Sequence, residues 1–208
     1  KEIMSALSSN LLTDGPNLRK FENNFSSFTK SAFSVGVSNA TSALILSLKS
    51  LGISKNDEVI IPDMTFVATA NAVLSCGATP ILADVNYDDL NISINSIEEN
   101  INKKTKAIIP VHFAGKSCNM RKIMTIAKKN NLKIIEDCAH SLGTYFEKQH
   151  VGTFGDTGCF SFYPTKNLTT FEGGMITCNS KSISNYLQKA RNHGIDKSLR
   201  DRFTKGYP

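Results

Sequence analysis

Short apolar runs alternate with helix-like segments along most of this sequence, and this alternation limits the possible fold more than any other feature. The runs are bounded by turn residues and show no regular polar alternation, which predicts strands that are buried on both faces. Such strands need a covering layer of helices on each side. The predicted strands are Glu58–Pro62, Pro80–Val85, Ala107–Val111, Lys133–Glu136, Cys159–Phe162 and Met175–Cys178.

Helical patterns lie between most of these runs. The first of them places Leu44, Leu48 and Leu51 on one stripe, as one face of a helix requires. Strand, helix and strand in succession predict right-handed crossovers and a mostly parallel sheet flanked by helices. The predicted class is therefore α/β. The predicted helices are Ser42–Leu51, Thr65–Cys76, Asn119–Asn131 and Ser182–His193.

The last two apolar runs break this pattern. Only about a dozen residues separate them, which is barely enough for a crossover helix. Those residues include Pro164 and the pair Gly173-Gly174, and their pattern is not helical. We therefore expect an antiparallel pair of strands, a mixed sheet, and an irregular loop over Tyr163–Gly174. Loops at the ends of buried strands often carry functional residues.

The composition excludes several classes of protein. The chain has 208 residues, of which 40% are hydrophobic and 20% are charged, as in globular rather than disordered proteins. No run approaches the ~18 apolar residues of a membrane helix, and no export signal is visible. We expect a soluble cytoplasmic protein with no membrane partner. Because both ends of the sequence are mostly polar, we also expect residues 1–208 to be part of a longer protein.

Charge and cysteine content narrow the partners. The net charge is +6, but the lysines are dispersed and aromatic residues do not interleave with them. This pattern disfavours nucleic acid and favours an acidic, phosphate-bearing small molecule. The cysteines form no C-x-x-C pair, so we expect free thiols in a reducing compartment and no metal site. The five cysteines are Cys76, Cys118, Cys138, Cys159 and Cys178.

Lys166 follows a predicted buried strand and Pro164. Burying a lysine amine is costly unless the amine is neutral or bonded, and that cost lowers its pKa. A neutral amine attacks carbonyl groups. The alternative is a lysine whose amine simply extends from the loop into solvent.

Asp137 ends another predicted interior strand, and His140 follows three positions later. A carboxylate in such a place suits the protonated nitrogen of a pyridine ring. The alternative is that Asp137 caps the following turn.

A small-residue segment, Gly36–Ala43, leads into the first predicted helix. Free N–H groups and the helix dipole favour a phosphate at such a helix start, although plain N-capping by Ser38 or Asn39 is the alternative. The motifs of P-loop nucleotidases, dinucleotide-binding oxidoreductases and α/β-hydrolases are missing. A phosphate cradle, the flat ring of Phe66, Asp137 and Lys166 follow one another in sequence. Together they match the phosphate anchor, ring stack, nitrogen partner and amine that pyridoxal phosphate needs.

Motifs along almost the whole chain resemble the DegT/DnrJ/EryC1/StrS family of sugar aminotransferases. That family belongs to the fold-type-I pyridoxal-phosphate enzymes, so the resemblance implies the large domain of the aspartate aminotransferase-like fold. The resemblance also implies a smaller C-terminal domain that lies beyond residues 1–208. The motifs include Asp14-Gly15-Pro16, Val37–Leu44, Asp57–Pro62, Thr65–Val73, Pro110-Val111-His112, Glu136–His140, Gly152–Asp156, Phe160–Lys166, Glu172-Gly173-Gly174 and Arg191–Ile195.

The resemblance implies roles for four residues around the cofactor ring. Lys166 would bind the cofactor covalently and transfer a proton during catalysis. Asp137 would pair with the pyridinium nitrogen, and Phe66 would stack on the ring face. His140 would bond near the 3-oxygen of the ring, where other members use Gln.

The resemblance further implies that Thr41, Ser42 and the hydroxyl of Ser161 hold the cofactor phosphate. His112 either lines the site or supports it from behind. The acidic residues Glu136, Asp84 and Asp156 we interpret as structural.

Two residues depart from the family pattern. Tyr163 stands where many members have His, and Phe171 stands where many have Gly. The first bears on contacts with cofactor or substrate, and the second bears on the loop conformation. Relatives that perform dehydration carry His in place of the lysine, so Lys166 favours transamination.

The implied function is transfer of an amino group, with glutamate as donor, to a nucleotide-linked keto-deoxysugar in amino-sugar or surface-polysaccharide synthesis. The resemblance also implies a homodimer with sites at its interface. Two alternatives stay open from the sequence. One is a different pyridoxal-phosphate reaction, such as dehydration or lysis, and the other is a relative that binds without catalysis.

Overall fold

A computed structural model describes residues 2–8 and 14–195 of the chain. The Arg-rich end of the sequence and the residues just before Asp14 lie outside the described residues. The helices are α1 (Glu2–Leu7), α2 (Pro16–Thr29), α3 (Ala40–Ser50), α4 (Ala68–Ser75), α5 (Ile94–Asn100), α6 (Met120–Asn130) and α7 (Lys181–Ala190). The strands are β1 (Phe33–Val37), β2 (Glu58–Pro62), β3 (Thr79–Ala83), β4 (Thr105–Ile108), β5 (Lys133–Asp137), β6 (Tyr145–Phe146), β7 (Gln149–His150), β8 (Thr157–Ser161) and β9 (Gly174–Cys178).

Seven of these strands form one mixed sheet in the order β1-β9-β8-β5-β4-β2-β3, and β6 and β7 form a separate hairpin. Strand β9 is antiparallel to both of its neighbours, whereas the other pairings are parallel. The predicted antiparallel pair, β8 and β9, is confirmed. Since β1 and β8 both oppose β9, all strands except β9 end at the same edge of the sheet.

Both faces of the sheet are covered, as the apolar runs predict. Val59 and Ile61 of β2 pack in one cluster with Leu44 of α3. Ile60 points to the other side and packs with Ile123 of α6. These five side chains are almost completely buried. Alternation along a strand thus places successive residues of one apolar run in two different cores.

A third cluster packs under α2, a helix that the sequence did not predict. Pro16 stands at its first turn, where a missing N–H costs nothing. Phe25 is buried, and its ring lies 5.0 Å from that of Phe160 and 5.7 Å from that of Phe162. The prediction failed because polar residues dominate this segment. The spacing of Phe21 and Phe25 was the available signal.

Other differences concern element boundaries. Strand β1 and helix α5 were not predicted, because both are short and contain polar residues. The helix predicted from Thr65 starts only at Ala68, so Phe66 belongs to the preceding loop. Strand β3 is an edge strand with partly exposed residues rather than a buried one. Pro80 fits that position because an edge strand tolerates a missing N–H.

The five cysteines are free thiols, as predicted, and all but Cys76 are buried. No helix in residues 2–8 or 14–195 has both the length and the apolar character that crossing a membrane requires.

We predict that Gly158→Ala lowers the free energy of unfolding by about 1–3 kcal/mol, the usual cost of overpacking. A Cβ on Gly158 would press against the backbone of Gly152. That Cβ would lie only 2.7 Å from the carbonyl carbon of Gly152. Backbone atoms of a packed loop have little room to move. Urea unfolding at constant m-value measures the loss.

Gly36→Ala is the matched control, because it also places a methyl group on a strand of the same sheet. The nearest atom there is Cδ1 of Leu18, the end of a flexible side chain. The control is expected to lose less stability than Gly158→Ala. Equal losses would contradict the distinction between backbone and side-chain contact.

Candidate active site

The candidate site lies along the edge where the parallel strands end. Asp137 is the last residue of β5, and Ser161 is the last residue of β8. Phe66 follows β2, and the start of α3 follows β1. In α/β sheets this edge is where ligands usually bind. Residues far apart in the sequence therefore meet in one region.

Asp137 is only 5% exposed, and two donors reach its carboxylate. The Thr69 hydroxyl donates to Oδ2 at 2.9 Å, and the Ala139 N–H donates to Oδ1 at 3.1 Å. Burial raises the pKa of Asp137, while these two hydrogen bonds and the nearby histidines His140 and His112 act against that rise. The predicted alternative, capping of the following turn, is observed at Oδ1, and Oδ2 serves a second contact.

Lys166 lies half-buried in the loop between β8 and β9. Its backbone N–H donates to the Tyr163 carbonyl oxygen at 2.9 Å, which closes a turn that contains Pro164. Burial lowers the pKa of the Lys166 amine, and the charge of Asp137 partly opposes this effect. The charge of Asp137 therefore acts on the Lys166 amine, although the two side chains form no ion pair within the described residues.

His140 is exposed and sits beside this pair. Burial of part of the ring lowers the pKa of His140, and the Lys166 charge lowers it further, whereas Asp137 raises it. The His140 ring packs edge-on against Phe113, with ring centroids 6.5 Å apart. A neutral ring at this place has one nitrogen that donates and one that accepts a hydrogen bond.

Phe66 is 74% exposed, which is unusual for a large apolar ring beside a sheet edge. Its carbonyl oxygen accepts the N–H of Thr69 at 3.0 Å, and Thr69 also reaches Asp137. Phe66 and Asp137 are thereby tied to the same residue. An exposed flat ring near a buried carboxylate is a suitable face for stacking an aromatic ligand.

The start of α3 is capped by Asn39, whose side chain accepts the N–H of Ser42 at 2.8 Å. Asn39 was one of the two predicted capping residues, so that interpretation is confirmed. The Ser42 hydroxyl lies 3.0 Å from that of Ser38. The N–H groups of Ala40 and Thr41 have no acceptor within the helix. They remain suited to bind an anion at the positive end of the helix dipole.

Gly174 brings Ser161 to this helix start. Ser161 pairs with Gly174 across β8 and β9, and Val37 pairs with Gly174 on the other side. A Cβ on Gly174 would lie 2.6 Å from the carbonyl oxygen of Asn39, so only glycine allows this close approach. Two of the three predicted phosphate-binding residues, Thr41 and Ser42, thus lie near the third, Ser161.

His112 is fully buried and supports the site from behind rather than lining it. Its Nδ1 accepts the Cys118 N–H at 3.1 Å, so the proton must be on Nε2. Nε2 lies 3.1 Å from Oε2 of Glu136 and donates to it. The His112 N–H also donates to the Asp137 carbonyl oxygen at 3.1 Å. This bond links the segment after β4 to the end of β5.

Glu136 is structural, as predicted, and anchors a loop that follows β7. It is fully buried, and both of its oxygens accept backbone N–H groups at 2.7–2.8 Å. The donors are Gly152, Phe154 and Gly155. Ligand atoms of His112, Glu136 and Cys138 lie within 4.8 Å of one another. Because Nε2 of His112 carries a proton and Glu136 is engaged by N–H donors, this group is a hydrogen-bond network.

Asp84 and Asp156, the other acidic residues that we interpret as structural, also accept backbone N–H groups. Oδ1 of Asp84 accepts from Val85 at 2.8 Å, and Oδ2 of Asp156 accepts from Ile134 at 2.9 Å.

The two residues that depart from the family pattern lie in the loop that carries Lys166. Phe171 has a φ of 66° and is 83% exposed. Glycine adopts this left-handed conformation more readily than other residues do. The Thr169 hydroxyl oxygen accepts the Phe171 N–H at 3.0 Å and holds the turn in place. Tyr163 is also substantially exposed.

Thr69 and Thr65 are the residues that sequence reasoning missed. Both lie inside a motif that the sequence analysis singled out, but neither was given a role. The signal was the four-residue spacing of two hydroxyl residues around Phe66 at a helix start, which places them on one face.

Comparison with known proteins decides the family. The model of the DegT/DnrJ/EryC1/StrS aminotransferase family matches residues 1–207. The chain belongs to this family. The spore coat polysaccharide biosynthesis protein SpsC of Bacillus subtilis (strain 168) is 39% identical over 204 residues, covering 98% of this chain and 52% of SpsC. GDP-perosamine synthase of Escherichia coli O157:H7 is 45% identical over 169 residues, covering 81% of this chain and 46% of the synthase. The chain spans about half the length of the curated relatives it matches.

Three solved structures share the fold of this chain. An aminotransferase from Psychrobacter cryohalolentis superimposes with a TM-score of 0.90 at 36% identity, covering 100% of this chain and 52% of that one. The PLP form of the sugar aminotransferase Spr1654 from Streptococcus pneumoniae superimposes with a TM-score of 0.86 at 31% identity. The match covers 90% of this chain and 53% of Spr1654. DesI in the presence of its TDP-sugar product superimposes with a TM-score of 0.89 at 31% identity, covering 93% of this chain and 49% of DesI. The predicted fold class is confirmed.

We predict that the Lys166 amine reacts at lower pH than an ordinary lysine. Burial lowers its pKa, so the neutral, nucleophilic form is populated below the reference value of about 10.4. Competitive acetylation followed by peptide mass spectrometry across a pH series measures this. In urea-unfolded protein the burial is lost, and the difference is expected to vanish. Identical titration of Lys166 in folded and unfolded protein would refute the prediction.

Proposed function

We propose that the protein is a pyridoxal-phosphate-dependent aminotransferase that acts on a nucleotide-linked keto-deoxysugar. The observation that carries this proposal is the placement of a buried carboxylate, Asp137, and a half-buried amine, that of Lys166, at one sheet edge. Stability alone does not explain why these two groups lie here, because burying ionisable groups is costly. Family membership and the fold support the same reading.

The residues present fit the cofactor. No Lys or Arg side chain forms an ion pair with Asp137 in the described part of the chain. Its two hydrogen-bond donors leave one lone pair on each carboxylate oxygen. A protonated ring nitrogen supplies both the missing positive charge and a further donor. A buried carboxylate in this state is what such a nitrogen requires.

The residues of the chain then have separable roles. Asp137 keeps the ring nitrogen protonated, Phe66 covers the ring face, and His140 bonds near the 3-oxygen. Lys166 binds the cofactor and moves the proton of the substrate carbon. When bound, pyridoxal phosphate supplies an electron sink that makes this proton acidic. The first turn of α3, with Thr41 and Ser42, and the hydroxyl of Ser161 hold the phosphate.

The proposed substrate class follows from the named relatives. One is a GDP-perosamine synthase, and DesI was solved with a TDP-sugar product. SpsC is a polysaccharide biosynthesis protein. A net charge of +6 suits a sugar linked to a nucleotide diphosphate. We further propose glutamate as amino donor, a homodimer in the cytoplasm, and residues 1–208 as the cofactor-binding large domain of a longer protein.

Two alternatives to an aminotransferase are distinguished by the fate of the nitrogen of the amino donor. A dehydratase or lyase on this fold uses the same cofactor, but its product carries no amino group from glutamate. A relative that only binds would not keep a reactive amine beside Asp137. Full-length protein is incubated with keto-sugar nucleotides and ¹⁵N-labelled glutamate, and the products are analysed by mass spectrometry. Only the aminotransferase places the label in its product, and a protein that only binds forms no new product.

We predict that borohydride reduction of the cofactor-loaded full-length protein leaves a reduced adduct on the peptide that contains Lys166. Lys166→Ala is expected to abolish the adduct and the visible absorbance band. The exposed Lys30→Ala is the matched control and is expected to keep both. Peptide mass spectrometry reads the result. An adduct on another lysine, or none, would overturn the proposal.

We predict that Asp137→Asn lowers the transamination rate by about 100-fold or more, because the neutral amide no longer stabilises a protonated ring nitrogen. Stability is expected to be retained or increased. Since burial raises the pKa of Asp137, its ionised form opposes folding above that pKa, and the amide removes this cost. Single-turnover kinetics and urea unfolding of the apoprotein measure the two effects. A near-normal rate would show that Asp137 does not serve the ring nitrogen.

The substrate class is tested by supplying full-length protein with keto-sugar nucleotides and glutamate. An amino-sugar nucleotide detected by mass is the expected product, and Lys166→Ala is the negative control. Product without glutamate, or none from any keto sugar, would contradict the proposed reaction.

A further inference from the structure

Thr69 occupies an unusual place at the start of α4. Its side chain is completely buried, and its hydroxyl donates to Oδ2 of Asp137 at 2.9 Å across 68 positions of sequence. Its backbone N–H donates to the carbonyl oxygen of Phe66 at 3.0 Å. One residue therefore contacts both the ring-nitrogen carboxylate and the backbone of the stacking residue. No role has been assigned to it so far.

The Thr69 hydroxyl donates to Asp137 and accepts a hydrogen bond from Thr65. The Thr65 hydroxyl lies 2.8 Å from that of Thr69. An ionised carboxylate only accepts, so the single proton of the Thr69 hydroxyl points to Asp137. Thr65 must then donate to Thr69. The three groups form a chain of bonds that all point toward the charge, and each bond polarises the next.

Other groups also face Asp137, so the contribution of Thr69 must be set against theirs. His112, in the segment after β4, donates its N–H to the Asp137 carbonyl oxygen, and His140 follows Asp137 after β5. Lys166 approaches from the loop after β8. The Ala139 N–H binds the other carboxylate oxygen, Oδ1. Thr69 is the donor to Oδ2 and belongs to a different element, so its hydroxyl limits rotation of the carboxylate.

We propose that Thr69 is a positioning residue whose hydroxyl orients Asp137 and keeps it ionised for the cofactor ring nitrogen. This inference rests on the proposed function for its consequence, but its physical core concerns Asp137 alone. Removal of the hydroxyl takes a hydrogen bond from a buried charge and favours the neutral acid. The neutral acid no longer holds the ring nitrogen protonated.

The bond to Phe66 does not depend on the side chain of Thr69. It uses the backbone N–H of Thr69, so Thr69→Val keeps it while deleting only the hydroxyl. Valine also keeps the shape of threonine. Ring stacking on Phe66 is expected to persist, and any change in the site is confined to the Asp137 side.

The first experiment needs no cofactor. The Asp137 carboxyl carbon of the full-length apoprotein, labelled with ¹³C and assigned with Asp137→Asn, is titrated by NMR. Thr69→Val is expected to move the midpoint to higher pH, whereas Thr69→Ser is expected to restore it. Thr65→Val, which leaves the Thr69 donor in place, is expected to move it less. Unchanged titration in Thr69→Val would overturn the proposal, whatever the protein catalyses.

A matched control separates the hydroxyl from a general threonine-to-valine effect. Thr157 on β8 is also buried, but its hydroxyl has no hydrogen-bond partner within the described residues. Thr157→Val is expected to leave the Asp137 midpoint where it is. A shift as large as that of Thr69→Val would mean that the response is not specific to the bond with Asp137.

The second experiment uses pyridoxal phosphate labelled with ¹⁵N at the ring nitrogen. In wild-type and Thr69→Ser protein, the nitrogen shift is expected to report a protonated ring. In Thr69→Val, the ring nitrogen is expected to be less protonated than in wild type at the same pH, and the dissociation constant of the cofactor is expected to rise about tenfold. Retention of wild-type protonation and affinity in Thr69→Val would refute the proposed consequence. If wild-type protein binds no cofactor, the proposed function fails, and the apoprotein titration still decides the role of Thr69.

Discussion

The site depends on the cost of holding a carboxylate, Asp137, at the end of an interior strand. Burial of this group favours its neutral form, and the protein opposes that tendency with two hydrogen bonds from different elements. The arrangement leaves the carboxylate oriented and in need of a positive partner. That need makes the sheet edge chemically selective, because a protonated ring nitrogen satisfies it and a neutral ligand does not.

The rest of the fold places complementary groups around that carboxylate. Because all strands except β9 end at one edge, the loops after β2, β5 and β8 converge there. The single reversed strand brings Gly174 against the start of α3 and so places Ser161 near the residues that we propose to bind the phosphate. Behind the edge, the buried His112 and Glu136 tie the segment after β4 and strand β5 to the loop after β7. The reactive groups therefore stand on a rigid support.

The sequence allowed much of this to be predicted, but unevenly. The predictions for Asp137 and Lys166 rested on their places at strand ends, and the structure brings them together. Helix α2 was missed because its apolar stripe is narrow and its polar residues hide it. The role of Thr69 was missed for a different reason. Its partner is 68 positions away, and nothing local in the sequence marks which carboxylate a threonine will meet.

The sequence by itself determined the alternation of strands and helices, the residue types at the strand ends and the family, since these depend on local periodicity and motifs. Tertiary structure alone decided which strand ends are neighbours, which oxygen of Asp137 receives which donor, and which nitrogen of His112 carries the proton. The physical reason is that hydrogen bonds and burial depend on distance in space. The order of the strands decides which residues are close in space. That order depends on how both faces of the whole sheet pack, which no short stretch of sequence determines.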